Sequence, residues 1–161
     1  MEQPTVADLF ERHHLPLFRY AYRHTRRRDL AEDIVQEVFV RVLRSRDTYD
    51  ERQREIAWLF TIARRLLIDR NRALSRRPTE AVSQSEPCHE QSAETSLLLD
   101  EALGALHEPD REAFLLKEIG GLTYEEIARV CEITVDGVRS RIYRARMRLR
   151  DSLSSPARIV R

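Results

Sequence analysis

LTYEEIARVCEITVDGVRSRIYRARMRLR, residues 122–150, is the stretch that decides the fold of this chain. Thr123 and Glu126 stand three residues apart, which is the spacing of a capping box at the start of a helix. We therefore expect a helix over residues 124–130, then a break, then a second helix capped by Thr134. Two short helices joined by a tight turn are typical of a helix-turn-helix.

The second predicted helix has one apolar face and one basic face. Its apolar residues recur at spacings of three and four, as on the buried side of an amphipathic helix: Val135, Val138, Ile142, Ala145 and Leu149. Six arginines occupy much of the remainder, with no acidic residue among them: Arg139, Arg141, Arg144, Arg146, Arg148 and Arg150. Guanidinium groups bind phosphates and guanine edges, so this helix is predicted to lie in the major groove of DNA. The alternative is a helical hairpin with a solvated charged face.

This stretch resembles the upstream-promoter reader of RNA polymerase sigma factors, in particular those of the extracytoplasmic-function (ECF) group. The pattern of that group is close to yeEIA…gis…TVksRl.RAr..L. The present chain departs from it at Gly137, where threonine is usual, and at Glu132, which replaces a common glycine. The resemblance implies DNA contacts by Thr134, Arg139, Ser140, Arg141, Arg144 and Arg148. The motif alone also fits response-regulator output domains, so the rest of the chain must decide.

The composition of the chain limits the classes of protein to which it can belong. The chain has 161 residues with a net charge of +1, so a case for nucleic acid depends on where the charges lie. Cys88 and Cys131 stand alone, which indicates neither a disulfide framework nor a zinc site. Few glycines and long helical periodicities predict an all-α fold. We expect two small helical domains joined by a flexible linker. No signal peptide or membrane-length apolar run is present, so we expect a cytoplasmic protein without membrane insertion.

The first predicted domain covers residues 5–74. Thr5 and Asp8 begin a helix, Pro16 is expected to break or kink it, and its second part is expected to end in the arginines of residues 26–28. The clearest helix of this half runs from Asp29 to about Arg46, with a broad apolar band that includes Val38, Phe39 and Leu43. Residues 29–45, DLAEDIVQEVFVRVLRS, are similar to the ECF segment that binds the β′ coiled coil of polymerase. The resemblance carries that contact onto Asp33, Gln36, Glu37, Val40 and Arg41. An acidic solvated face is the alternative.

A loop over residues 47–55 precedes a further predicted helix. WLFTIARRLLIDRNRALSRR, residues 58–77, resembles the ECF helix that reads the downstream promoter element, with Arg65 where asparagine is common. The resemblance implies that the loop holds a base flipped out of the non-template strand, by stacking worth about 1–3 kcal/mol per base. Trp58 and Phe60 are assigned mainly to the core, and packing at the loop end is the alternative for Tyr49. Surface ion pairs from Arg65 and Arg72 to Asp69 are the alternative on the helix. The candidate residues for this element are Tyr49, Arg52, Arg54, Arg64, Arg65, Asp69 and Arg72.

Residues 75–95 are predicted to form a flexible, acidic linker, because they hold few apolar residues. As a coil of about 21 residues it would span ~25 Å, less than the ~34 Å of one DNA turn. In ECF proteins, polymerase holds this linker extended. The second domain is predicted over 96–153: Ser96 caps a helix with an apolar side of Leu97, Leu98, Ala102, Leu103 and Leu106, Pro109 starts the next, and Gly120–Gly121 end it.

The resemblance over about residues 9–153 implies an ECF sigma factor. Its expected partners are core RNA polymerase, through the β′ coiled coil and the β flap, promoter DNA, and an anti-sigma factor. No catalytic or cofactor motif is found in the sequence, so no enzyme activity and no cofactor are expected. Two rivals remain open. One is a free-standing helix-turn-helix regulator that dimerises on an operator. The other is a polymerase-binding or anti-sigma-binding adaptor that does not read DNA.

Overall fold

The computed structural model describes residues 4–45, 47, 49–50, 52–76 and 93–154, apart from the side chains of residues 93–96. Within these residues the chain is all-helical, as the sequence predicts, and it divides into two compact units. The first unit contains α1 to α3 and the second contains α4 to α7. None of the described helices is apolar over a length that would cross a bilayer. The helices are α1 Val6–Thr25, α2 Arg28–Arg44, α3 Glu55–Arg76, α4 Ala93–Gly104, α5 Glu108–Glu118, α6 Tyr124–Cys131 and α7 Val135–Ser154.

Helix α1 begins as the sequence predicts but is not interrupted. The N–H of Thr5 donates to Asp8 Oδ2 at 2.9 Å, and the N–H of Asp8 donates to Thr5 Oγ1 at 3.1 Å, which completes a capping box. Of the break or kink expected at Pro16, the break does not occur, because α1 continues through it. Leu9 before the proline and Leu17 after it are both buried. Packing on both sides therefore outweighs the ~3 kcal/mol that an interior proline costs.

The capping box gives α1 an acid-dependent contribution to stability. Hydrogen bonds from the Thr5 side chain and backbone lower the pKa of the Asp8 carboxyl. A group with a lowered folded pKa stabilises the fold above its unfolded pKa, and that contribution disappears as the pH falls through the folded pKa. We expect Asp8→Asn to lower the stability of the protein at neutral pH, with a difference from wild type that vanishes in acid. Urea titrations across pH measure this, and a difference that does not change with pH would contradict it.

The three arginines at residues 26–28 do not form the last turn of α1, so that expectation is wrong. The helix ends at Thr25, and Arg28 already begins α2. Arg26 adopts a left-handed conformation with φ of 57°, and its N–H donates to the carbonyl of Tyr22 at 2.7 Å. This C-terminal cap reverses the chain, so that α2 packs against α1.

The core of the first unit lies between α1, α2 and α3. Tyr20 and Phe60 are completely buried, with their rings in edge-to-face contact at 5.1 Å between centroids. Val38 and Val42 supply the α2 side of this core. Leu43, expected in the same apolar band, is instead 63% exposed. It lies at the edge of the band, where α1 and α3 do not cover it.

The second unit differs from expectation at its start. Helix α4 begins at Ala93, so Ser96 lies inside the helix and the prediction that it caps α4 is wrong. The predicted linker of residues 75–95 therefore overlaps α3 and α4 at its ends, and residues 77–92 lie outside the described part. Leu97 and Leu98 are exposed, contrary to their predicted place on the apolar side. The buried side of α4 is formed by Ala102, Leu103 and, just beyond its end, Leu106.

The helix-turn-helix forms as the sequence predicts. The N–H of Thr123 donates to Glu126 Oε2 at 2.8 Å, and the N–H of Glu126 donates to Thr123 Oγ1 at 3.2 Å, so the capping box opens α6. Thr134 Oγ1 accepts from the N–H of Gly137 at 3.0 Å and thereby caps α7. Both helices are thus held at their N-termini by side chains that the sequence identifies. The buried side of α7 consists of Val138, Ile142, Ala145 and Leu149, with Val135 half-buried.

The turn of this motif carries backbone strain at Glu132. Its φ is 57°, in the left-handed region, where a side chain costs roughly 1–2 kcal/mol. We expect Glu132→Gly to raise the stability of the second unit by about 0.5–1 kcal/mol, since glycine removes the strain but adds backbone entropy. Chemical denaturation of the full chain measures the gain. Glu132→Ala is the matched control, because it removes the charge and keeps the strained Cβ; an equal gain there would contradict the backbone explanation.

Candidate functional site

The arginines of α7 lie in two rows on either side of an outward-facing strip. At 100° per residue, Ser140, Tyr143 and Met147 face away from the buried side, and Tyr143 is 65% exposed. The first row follows one edge of this strip and consists of Arg141, Arg144 and Arg148. The second row follows the other edge and consists of Arg139, Arg146 and Arg150. All six are exposed except Arg141, which is half-buried.

Every arginine of the second row has an acidic partner within the second unit. Arg139 Nη1 lies 2.8 Å from Asp136 Oδ1. Arg146 Nη2 lies 3.3 Å from Glu118 Oε1, and Arg150 Nη2 lies 3.6 Å from Asp151 Oδ1. These pairs are solvent-exposed and weak, but each places a carboxylate beside the guanidinium group.

The first row is different. Arg141 and Arg148 form no salt bridge with any of the residues that the structure describes. Arg144 is held by Asp110: its Nε donates to Oδ2 at 3.1 Å, and its Nη2 donates to Oδ1 at 3.0 Å. This hydrogen bonding, followed by the negative charge of Asp110, raises the pKa of Arg144. The row therefore offers two guanidinium groups without acidic partners and a third one fixed to the protein between them.

Sequence reasoning did not find two of these residues. Tyr143 is visible on the same helical projection that identifies the arginines, so its exposure on the outward strip was available from the pattern. Asp110 was not, because it lies 34 residues before Arg144 and no local spacing connects them.

On α2, the five candidate residues lie on one side of the helix, and three of them are exposed. Asp33 and Gln36 are exposed, and Val40 is 36% exposed. Glu37 and Arg41 are half-buried and paired, with Arg41 Nε 3.2 Å from Glu37 Oε1. Asp33 takes part in no salt bridge with another described residue. The structure thus exposes an acidic, partly apolar surface on the side of α2 that points away from the core.

On α3, the candidate residues lie along one stripe of the helix. Arg65, Asp69 and Arg72 are exposed, and their spacing of four and three brings them to one side. Arg64 is half-buried. The alternative of surface ion pairs is not seen, because no salt bridge joins Asp69 to Arg65 or to Arg72. Arg65, Asp69 and Arg72 are therefore exposed on one stripe of α3.

The loop before α3 forms a pocket of ≈ 420 Å³. Tyr49 stands at its wall: its hydroxyl donates to the carbonyl of Gln53 at 2.9 Å, and its ring lies 5.0 Å from that of Trp58. Trp58 is half-buried, so its assignment mainly to the core holds only in part; its ring lies beside that of Tyr49. The full lining is His13, Tyr49, Arg52, Gln53, Arg54, Glu55 and Ile56. Tyr49 thus packs at the end of the loop and also lines the pocket.

Comparisons with known proteins match both units. The model of sigma-70 region 2 matches residues 9–77, and that of sigma-70 region 4 matches residues 96–149. The ECF RNA polymerase sigma factor SigE of Mycolicibacterium smegmatis is 36% identical over 94% of this chain and 62% of its own length. The RNA polymerase sigma factor CarQ of Myxococcus xanthus is 34% identical over 94% of this chain and 90% of its own.

Solved structures are similar over the same extent. The sigma factor RpoE of Bartonella quintana, determined in complex with the anti-sigma factor NepR, has a TM-score of 0.78 and 27% identity, covering 91% of this chain and 95% of that one. CnrH, determined in complex with the cytosolic domain of CnrY, has a TM-score of 0.72 and 27% identity, covering 94% of this chain and 88% of that one.

Proposed function

Because this chain belongs to the extracytoplasmic-function sigma factors of the sigma-70 family, we propose that it binds core RNA polymerase and directs promoter recognition and opening through three separate surfaces. The observation that carries this assignment is the pair of exposed faces, acidic on α2 and basic on α7, within the regions that match the two sigma-70 models. Proteins of this family are regulatory rather than catalytic. We place its action in the cytoplasm, where polymerase works, and assign it no reaction of its own.

The upstream promoter element is assigned to α7. The outward strip enters the major groove, and the arginine rows on its two edges meet the phosphates that border the groove. Ser140 and Tyr143 then face base edges. The cap residue Thr134 lies at the N-terminus of α7, which is the end that enters the groove first. Arg141 and Arg148 are the strongest phosphate ligands, because no acidic side chain of the protein competes for them. Arg139 is already paired with Asp136, so we expect it to contribute less.

The downstream element is assigned to α3 and the loop before it. Arg65, Arg72 and Asp69 line the stripe that faces the duplex, and Arg64 lies beside them. The pocket bordered by Tyr49, with Arg52 and Arg54 on its rim, has space for a single unpaired base. Opening is favoured because a base held there by stacking and by guanidinium groups is removed from the duplex.

The surface of Asp33, Gln36, Glu37, Val40 and Arg41 is assigned to core polymerase, at the β′ coiled coil, with the β flap expected to bind the second unit. An acidic face with an apolar centre is suited to a basic amphipathic helix. An anti-sigma factor is a further proposed partner, because the similar sigma factor RpoE was determined in complex with the anti-sigma factor NepR. Exposed Val40 and Leu43 extend apolar surface that such a partner would cover.

In vitro transcription with core polymerase and a library of genomic fragments tests the proposal. We expect a small set of specific start sites that appear only when the protein is added. The selected fragments then serve as promoter probes for all binding experiments below. The absence of specific transcripts would contradict the proposal. Specific binding of an isolated dimer to a palindromic site, without polymerase, would identify the free-standing regulator instead.

A further inference from the structure

We infer that Asp110, which has no place on the DNA-facing surface, is a positioning residue for promoter recognition: it fixes Arg144 so that one edge of the guanidinium is bound inside and the other is left for a DNA phosphate. This inference rests on the proposed placement of α7 in the major groove. It assigns a function to a residue on α5, a helix that otherwise only supports the reading helix.

The geometry divides the guanidinium of Arg144 into two halves. Nε and Nη2 donate to the two oxygens of Asp110 in a bidentate pair. Nη1, with its two N–H groups, has no partner among the described residues. The Asp110 side chain is 3% exposed, whereas the Arg144 side chain is 52% exposed. One half of the group is therefore anchored against the protein and the other half remains open to solvent.

Asp110 is itself firmly placed. It lies in the first turn of α5, where the helix dipole favours a carboxylate. Helix α5 packs directly on α7, so the bridge joins two elements that are already in contact. A buried carboxylate requires such a partner, since burying an unpaired charge is strongly unfavourable. The pair thus has a defined geometry before DNA arrives.

A prearranged arginine improves DNA binding because less freedom is lost when the contact forms. A free arginine side chain gives up most of its rotamer entropy when it binds a phosphate. Arg144 has already lost this rotamer entropy on folding. Only a guanidinium can hold a carboxylate bidentately while offering further N–H groups. Lysine at this position would keep the charge but neither the fork nor the fixed direction.

Electrostatics alone predicts the opposite effect of removing Asp110. Its negative charge lies within hydrogen-bonding distance of Arg144 and repels DNA phosphates, so Asp110→Asn by charge alone would tighten promoter binding. Positioning predicts weaker binding, because Arg144 is released. The sign of the change therefore separates the two explanations without reference to its size.

The test measures binding of reconstituted holoenzyme to a selected promoter fragment across a salt series. We expect Asp110→Asn to weaken specific binding about 3- to 10-fold with little change in the salt slope, since the number of cationic groups is unchanged. Arg144→Lys should weaken binding by a similar factor, also with little change in the salt slope. Arg144→Ala should also flatten the log–log salt slope by about 0.9, and Asp110→Asn should add no further loss of binding in that background. Thermal unfolding gives the fraction folded for each variant.

Binding that is unchanged or tighter in folded Asp110→Asn would overturn the inference, as would additive losses in the double variant. If Asp110→Asn does not fold, the Arg144→Lys variant provides the test. Promoter binding by Arg144→Lys as tight as that of the wild type would contradict the need for a bidentate guanidinium. Arg148→Ala is the reference for the proposed function. If Arg148→Ala loses promoter binding and Asp110→Asn does not, only the positioning role of Asp110 is refuted. No loss in either variant refutes the placement of α7 on DNA.

Discussion

Replacing Asp33 and Glu37 by lysine is expected to abolish binding to core polymerase while leaving the helix content of the protein unchanged. Both residues lie on the side of α2 that faces away from Val38 and Val42, so the core of the first unit does not depend on them. The double substitution changes the charge of this surface by about four units at neutral pH, and like charges across an interface cost several kcal/mol. Co-elution with core enzyme in gel filtration measures the result.

A matched control has the same charge change at another place. Glu11 on α1 and Glu101 on α4 are exposed, and their double lysine variant should co-elute normally. Circular dichroism establishes that both variants are folded. Normal co-elution of the Asp33 and Glu37 variant would refute the assignment of this surface. Loss in both variants would mean that net charge, and not the α2 face, governs assembly.

Replacing Arg141 and Arg148 together by alanine is the second large effect. Each phosphate contact contributes about 0.9 to the slope of log affinity against log salt, so the double variant should flatten it by ~1.8. The two side chains lie on the same edge of α7, seven residues apart, and no acidic residue of the described chain pairs with them. Fluorescence anisotropy of holoenzyme on a selected promoter fragment, from low to physiological salt, measures the slope.

The matched control for this experiment is provided by the second row. Arg146→Ala with Arg150→Ala removes the same charge from the same helix, but each of these arginines already has an acidic partner at 3.3 Å and 3.6 Å, respectively. A smaller flattening is therefore expected. Equal flattening in both variants would show that the protein's own carboxylates do not decide which arginines bind DNA. An unchanged slope in both would remove α7 from the promoter interface.

The features predicted correctly from the sequence were those with a local cause. The capping box of Thr123 and Glu126, the cap at Thr134 and the buried side of α7 each depend on residues within a few positions of one another. The all-α architecture follows from the same periodicities. Such signals can be read without knowledge of the tertiary packing, which is why the sequence predicts the whole helix-turn-helix.

Most of the failures have a different cause, which is tertiary packing. Helix α1 continues through Pro16, with Leu9 and Leu17 buried on either side, and the half-buried Trp58 has its ring beside that of Tyr49. The cap predicted at Ser96 fails for a local reason: serine is a common cap residue, but α4 begins three residues earlier. The bridge from Asp110 to Arg144 depends on tertiary packing. Its two ends lie on different helices, and only the folded chain brings them together.

The second arginine row has a consequence for the protein when it is not bound to polymerase. Arg139, Arg146 and Arg150 are balanced by carboxylates, and the whole chain has a net charge of only +1. Long-lived occupancy of arbitrary chromosomal sequence requires a large surplus of positive charge, because counterion release supplies nearly all of that binding. We therefore expect the free protein to exchange rapidly from bulk chromosome and to remain available for capture by polymerase.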